Sequence, residues 1–444
     1  MRRALLLTAL MTGLAFAQST EDRIRELEER IRELQREIQK LKEEQRETEV
    51  LKDEIRKLRL EIAMPTLEMR SYYGLGPAAS KALFNPKGVS IGGYGEIHFV
   101  HDPDRRPRNE VDAKRLILYF GYAFNEKLKL NSEIEWEHAF VEGGEKSGEV
   151  NVEFAFLDYN VNEKLGLRGG LLLVPVGIIN EYHEPPTFPT VDRPFLERNI
   201  IPTTWRELGF GMYGKWGALE YRAYLLNGMR ANEEAGEKVK KGELLKGFRQ
   251  KGFKAASDQI AFVGRLDYLL PYNLKVGASV YTGGVQDEKG HKLGTLSLLS
   301  PHLWWQYAGF DVRFVGVYGT VSGAKKISEV ITDNPLCNLD PSQCVSFPKK
   351  FYGFYTQVAY DIFRLLKIDG QELYLFGMYE NYNTHANVPQ GFTKPDGHKV
   401  QVLNFGLSYK PHPLIALKAD YAKVLYSPNK EDKDLYRAAL TWMF

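Results

Sequence analysis

Glu133, Glu135 and Glu137 alternate along one stretch of the chain. On an extended strand they share a face about 7 Å apart, close enough for paired carboxylates to do acid–base work. Acidic rows are also ordinary on the wet face of a barrel strand, and that reading is preferred. His138 and His183 have no Ser or Asp set beside them as a nucleophilic triad. Gly92-Gly93-Tyr94-Gly95 opens no helix and so is not a nucleotide loop; glycines at such places relieve strand bending. Cys337 and Cys344 lie in a loop rich in Pro, Asn and Asp, with no His beside them. In an exported chain they read as a disulfide, Cys337–Cys344, closing that loop rather than as metal ligands. Neither enzymatic activity, a metal nor a cofactor is expected.

The most unusual concentration of charge is the segment Val176–Thr204. It carries Glu181, Glu184, Asp192 and Glu197 against Arg193, Arg198 and His183. Pro185, Pro186, Pro189, Pro194 and Pro202 stiffen it, and it holds too many aromatic and aliphatic residues to be disordered. Loops of this length are uncommon and tend to be functional. One expectation is that the four acids project free charge into an opening, with Arg193 and Arg198 held against its wall or facing them. The other is that salt bridges pin the loop.

What positions this loop is a run of strands. From Gly88 onward apolar residues recur at period two, with strands expected to begin near residues 88, 111, 127, 149, 164, 205, 217, 258, 273, 296, 310, 350, 371, 400, 413 and 433. Leu403, Phe405, Leu407 and Tyr409 oppose Asn404, Gly406, Ser408 and Lys410; Ile415, Leu417, Ala419 and Tyr421 oppose Ala416, Lys418, Asp420 and Ala422. Short turns such as 125–127, 162–164, 214–217, 271–273 and 410–413 alternate with longer polar loops near 102–109, 141–148, 177–204, 229–257, 284–295, 321–349, 383–398 and 427–432. That beat, with an even strand count, predicts an all-β transmembrane barrel of about sixteen antiparallel strands over 88–444. Mean hydropathy of −0.36 does not count against it, because outward apolar and inward polar residues alternate. The last strand places Tyr436, Ala438, Leu440, Trp442 and Phe444 on one face.

The N-terminal region differs. Arg2 and Arg3, an apolar stretch Ala4–Leu14 and Ala15-Phe16-Ala17 predict a signal peptide over 1–17, cleaved before Gln18. Ile24, Leu27, Ile31, Leu34, Ile38 and Leu41 then repeat at three- and four-residue spacing among Glu, Lys and Arg, which predicts an α-helical coiled coil over 18–63. Residues 64–87, containing Gly74, Gly76, Pro77 and Pro86, are expected to be a linker. A formal charge of +2 over 444 residues says almost nothing about partners; selectivity must come from local charge.

Gly92-Gly-Tyr-Gly-Glu96, Glu133-Ile-Glu-Trp-Glu-His138, Leu173-Val-Pro-Val-Gly177, Asn180-Glu-Tyr-His-Glu-Pro-Pro-Thr-Phe188 and Ile201-Pro-Thr-Thr-Trp-Arg-Glu-Leu-Gly209 resemble the phosphate-selective porin (O and P) superfamily, in a branch with an N-terminal coiled coil. The terminal Phe444 is similar to the signal that barrel-insertion machinery reads. The resemblance implies a homotrimeric channel in the outer membrane of a Gram-negative bacterium. It also implies contact with lipid and lipopolysaccharide, a coil in the periplasm, and the third long loop inside the pore. It does not carry over phosphate selectivity. Expected lumenal bases Lys129, Arg168, Arg222, Arg265, Lys275, Arg313, Lys410, Lys418 and Arg437 are interspersed with acids that include Glu96, Glu133 and Glu135. The expected function is passive diffusion of small hydrophilic solutes and ions. The constriction, carrying more carboxylates than bases, leans weakly towards cations. The alternatives are an oxyanion channel and a tether reaching peptidoglycan through the coil. Nucleic acid is not an expected partner. Ile at a with Leu at d favours two strands in a parallel coil, whereas the resemblance implies three.

Overall fold

The computed structural model describes residues 25, 28–52, 54, 71–139, 148–332 and 344–444. The expected signal peptide, Ile24, Leu27 and Cys337 lie outside them; Cys344 is disulfide-bonded. Residues 28–52 form a helix (α1). Its Ile31, Leu34, Ile38 and Leu41 are each more than half exposed.

From Gly88 the chain builds sixteen strands, the number expected: β1 Gly88–His101, β2 Asn109–Ala123, β3 Leu128–Glu137, β4 Val150–Asn162, β5 Leu165–Leu173, β6 Arg206–Trp216, β7 Leu219–Asn227 and β8 Ile260–Leu270. They continue as β9 Leu274–Gln286, β10 Lys292–Tyr307, β11 Phe310–Ser322, β12 Lys350–Asp361, β13 Glu372–Asn387, β14 Lys399–His412, β15 Ile415–Ser427 and β16 Lys433–Met443. A further two-residue strand, Met229–Arg230, pairs in parallel with Val285 and Gln286. Each barrel strand is antiparallel to its sequence neighbours, and β1 pairs with β16 from Tyr94↔Met443 to His101↔Tyr436. The sheet is therefore closed and leaves no unpaired edge. Phe444 extends the seam by exchanging backbone hydrogen bonds with Gly93 at 2.9 and 3.0 Å.

Alternation sorts the wall into two faces. Leu116, Leu167, Phe210, Leu225, Phe262, Leu299, Leu375, Phe405, Leu417 and Leu440 all face outward and are exposed. Towards the short turns the outer wall carries aromatic pairs, among them Trp216–Tyr221, Tyr272–Tyr307 and Phe310–Tyr360, with ring centroids 4.6 to 5.6 Å apart. An apolar outer band bordered by aromatic rings is what a bilayer demands of a spanning barrel. Among the described residues no helix is long and apolar enough to cross a membrane.

The segment expected as a linker folds, from residue 71 onward, against the inside of the barrel. Pro77 opens a helix, α2 (Pro77–Phe84), buried except at Phe84. The backbone comes this close because the wall is hollowed by glycine. A Cβ on Gly121 would overlap Ala82, and one on Gly92 would sit 3.0 Å from the Ala78 carbonyl oxygen. Asn131 Nδ2 donates to the Ala79 carbonyl at 2.8 Å, and the Lys129 amine donates to that of Leu83.

Gly121→Leu should therefore unseat α2 while leaving strand pairing intact. We expect the variant to keep the heat-modifiable gel mobility of a folded barrel, with α2 docking weakened by about 1–3 kcal/mol through overpacking. Trypsin cleavage at Lys81, protected while the helix is seated, should accelerate.

Candidate pore constriction

The third long loop, between β5 and β6, does not stand out from the barrel rim. Its root is tied by Asn180, which donates to the carbonyls of Val174 (2.7 Å) and Trp205 (3.0 Å) and accepts from the Trp205 amide at 2.6 Å. With its root fixed, the loop turns inward. Ile178, Tyr182, Phe188, Val191 and Leu196 are buried inside the barrel.

The opposite wall holds it by charged side chains aimed at loop backbone. Glu380 on β13 accepts from the Phe195 and Leu196 amides at 2.9 and 2.7 Å, at the start of the one-turn helix α3 (Leu196–Asn199). Asp420 on β15 accepts from the Val191 amide at 2.9 Å. Lys418 donates to the carbonyls of Pro185 and Thr190 at 2.6 and 2.9 Å, and Arg313 on β11 to that of Thr187 at 2.6 Å. Arg265 on β8 donates to the Gly177 carbonyl. Hydrogen bonds to charged groups are the stronger kind, and this set ties a loop from β5–β6 to strands across the barrel.

The loop's four acids are all engaged, Glu181 and Asp192 by salt bridges and Glu184 and Glu197 by amide and hydroxyl hydrogen bonds. Glu181 lies 3.3 Å from both Arg222 on β7 and Arg265. Glu184 accepts from the Ala78 and Ala79 amides at 3.0 and 2.9 Å, so the constriction loop caps the buried helix α2. A Cβ at Gly74 or Gly76 would overlap Glu181 or Glu184, which is why the chain beside them lacks side chains. Asp192 meets Lys114 at 2.7 Å, Arg198 at 3.0 Å and Arg437 at 3.7 Å. Burial works against its charge, yet these three cations hold its carboxyl well below the usual range. Glu197 accepts from Tyr355 (2.8 Å) and from the Ile178 and Ile179 amides (3.1 and 2.8 Å). Burial outweighs those bonds and raises its pKa. His183 sits 3.1 Å from Glu133.

The wall's own charges are also largely paired. Arg168 meets Asp158 at 2.9 Å, Arg222 and Arg265 share Asp267, Arg313 meets Asp311 at 2.7 Å, and Arg437 meets Asp420 at 2.7 Å. Glu96 and Glu135 lie 2.7 and 3.5 Å from Arg115. Lys410 lies 3.4 Å from Glu372, and Lys275 reaches the Tyr182 hydroxyl at 3.2 Å over a Trp304 edge. Lys114, Arg115, Glu380, Tyr355 and all of α2 were absent from the expected site. The inward phase of β2, β12 and β13 could have found Arg115, Tyr355 and Glu380; Lys114 turns inward only through the register shift between Arg115 and Asp112, and nothing local marks α2.

Space remains on both sides of the loop. Towards the long loops lies a polar cavity of about 370 Å³ whose lining includes nine bases (Lys114, Arg115, Arg193, Arg198, Arg206, Lys238, Lys246, Arg249, Lys251) and five acids (Glu135, Glu137, Glu149, Glu153, Asp192). Towards the short turns a pocket of about 130 Å³ lies among Tyr182, Phe188, Trp304, Asp311 and Lys410.

No family model matches the sequence. An uncharacterised protein of Aquifex aeolicus (strain VF5) is 60 % identical over 444 residues, spanning 100 % of both chains. The chain belongs to the family of that protein. Among solved structures it is similar to Salmonella typhi OmpF in complex with daunomycin, at 12 % identity over 81 % of this chain and 98 % of that one, with a TM-score of 0.51. It is likewise similar to an anion-selective porin from Comamonas acidovorans, at 10 % identity over 81 % and 100 % of the two chains, with a TM-score of 0.50. At such identities the likeness is one of fold: this family has the porin barrel.

Glu184 supplies a pH test. Burial pushes its carboxyl from an ordinary 4.5 up to about 7, against the two α2 amides that pull it down. Between those values the folded protein holds a proton that the unfolded chain has released. Stability must therefore fall as pH rises from about 4.5 to about 7 and be unaffected by this group above that. Glu184→Gln should reduce the slope of that part of a plot of urea-unfolding midpoint against pH by the share of one carboxyl.

Proposed function

We propose that this protein is an outer-membrane porin of a Gram-negative bacterium, a passive channel for small hydrophilic solutes and ions narrowed by the third long loop. The observation that carries the reading is that loop, tied at both ends and across the lumen inside a closed barrel with an apolar outer band. The porin folds similar to this chain, and the motifs resembling the phosphate-selective superfamily, support it. In this reading the short turns, both ends of the barrel and the coil face the periplasm. The exposed apolar stripe of α1 is covered by partner helices in a homotrimer. The outward apolar band meets lipid and lipopolysaccharide, and Phe444 serves insertion.

The selectivity we propose differs from the cation lean drawn from residue counts. Glu181, Glu184, Asp192 and Glu197 are all engaged, so they add little free negative charge at the narrowing. The cavity on the long-loop side keeps an excess of bases, several from the fourth long loop (228–259). Unpaired charge near the narrowest point sets the preference of a wide pore. The channel therefore favours anions modestly, which keeps the oxyanion-channel reading as the second choice.

Purified protein in a planar bilayer under a potassium chloride gradient tests this. The expected zero-current potential is modestly anion-selective. Replacing Lys238, Lys246, Arg249 and Lys251 by Gln should lower the anion-to-cation permeability ratio roughly two- to five-fold at low salt, with less effect at high salt. Absence of conductance would defeat the channel reading. A cation-selective wild type would defeat the charge assignment alone.

A further inference from the structure

Glu133 on β3, Glu153 on β4 and His183 on the constriction loop bring three ligand atoms within 4.8 Å of one another. The three side chains are at most 2 % exposed. Two of them are oriented from behind. His183 Nδ1 lies 3.1 Å from the Asn180 carbonyl oxygen. A carbonyl can only accept, so Nδ1 carries the proton and Nε2 turns to the carboxylates. Nε2 lies 3.1 Å from Glu133 Oε1 and 3.9 Å from Glu153 Oε2. Arg206 takes the other oxygen of Glu153 at 3.4 Å.

That leaves Glu133 Oε2 and Glu153 Oε2 buried with no hydrogen-bond partner. Unpaired buried carboxylate oxygens are costly, and two of them beside one imidazole nitrogen call for a positive centre among them. A proton on Nε2 answers one carboxylate; a divalent cation answers both and the imidazole as well. Metal bonds of about 2.1 Å at tetrahedral angles place ligand atoms about 3.4 Å apart; the two imidazole–carboxylate separations, 3.1 and 3.9 Å, bracket that value, and the carboxylate pair lies within 4.8 Å. Of the neighbouring cations, Arg115 is already engaged by Glu96 and Glu135, and Arg193 makes no salt bridge with either carboxylate among the described residues. Glu153 also lines the long-loop cavity, from which a cation could enter.

We propose that Glu133, Glu153 and His183 bind a divalent first-row transition cation that staples the constriction loop to the β3–β4 wall. One imidazole with two carboxylates suits zinc and its neighbours rather than calcium or magnesium, which take oxygen ligands alone.

The test is metal content of the full-length protein in detergent, stripped with chelator, equilibrated with Zn²⁺ and dialysed. One zinc per chain is expected, and Co²⁺ in its place should give the intense visible bands of a four- or five-coordinate site. Glu153→Gln and His183→Gln should each weaken uptake by more than the roughly 10- to 100-fold that loss of an outer-shell partner costs. His291→Gln, at an exposed histidine outside the cluster, should leave uptake unchanged. Retention of zinc by both cluster variants, or no stoichiometric uptake by the wild type, overturns the proposal. Glu153→Gln leaves the Glu133–His183 pair in place, so it reports even if His183→Gln fails to fold. None of these readouts depends on conductance.

Discussion

A closed strand wall turns every second residue inward, and in this chain many of those inward residues are ionisable. The rest of the fold depends on how that buried charge is neutralised. Arg168, Arg222, Arg265, Arg313 and Arg437 are each at most 5 % exposed, and each has an acid within 3.3 Å. A buried pair adds little net stability over an apolar one, but a buried charge without its partner is strongly destabilising. The lumen thus specifies where the third long loop must lie. Glu181 completes Arg222 and Arg265, and Asp192 completes Lys114 and Arg437. The loop is the counter-charge of the wall.

The same logic reaches the N-terminal segment. Glu184, like Glu197, has no cation within salt-bridge distance among the described residues; its acceptors are met by the first amides of α2. Helix N-termini carry partial positive charge, so the amides stand where a base stands elsewhere. The glycines at 121 and 92 then serve this contact, by letting the helix backbone reach the wall. Seating of α2 and placement of the constriction are consequently one event.

The strands were legible because their signal is local. Alternation placed the sixteen strand starts within four residues of those found, as at Lys292 against an expected 296. The fate of the loop acids was not legible, since the partners of Glu181 lie at 222 and 265 and the amides of Glu184 at 78 and 79. Only barrel closure brings them together. Helix α2 was read as linker for a physical reason. Pro77-Ala-Ala-Ser-Lys-Ala-Leu-Phe84 is short, small and flanked by glycine, with no amphipathic stripe to announce burial. Its burial is determined by the missing side chains of the wall facing it.

Charge counted along a sequence is therefore not the charge that a barrel interior presents. Each residue type contributes to a field only after its partners have been subtracted, and subtraction is a matter of register. Inside this barrel the acids of the constriction are cancelled by wall arginines, loop amides and a helix end. The lysines and arginines of the fourth long loop have fewer such partners, and they crowd one cavity. The charge lining that cavity is therefore not set by the third long loop's own composition. Two chains with identical charge counts but a one-residue slip in β8 or β15 would turn Arg265 or Asp420 to the outer face. The loop would then lose a partner that holds it inside the barrel.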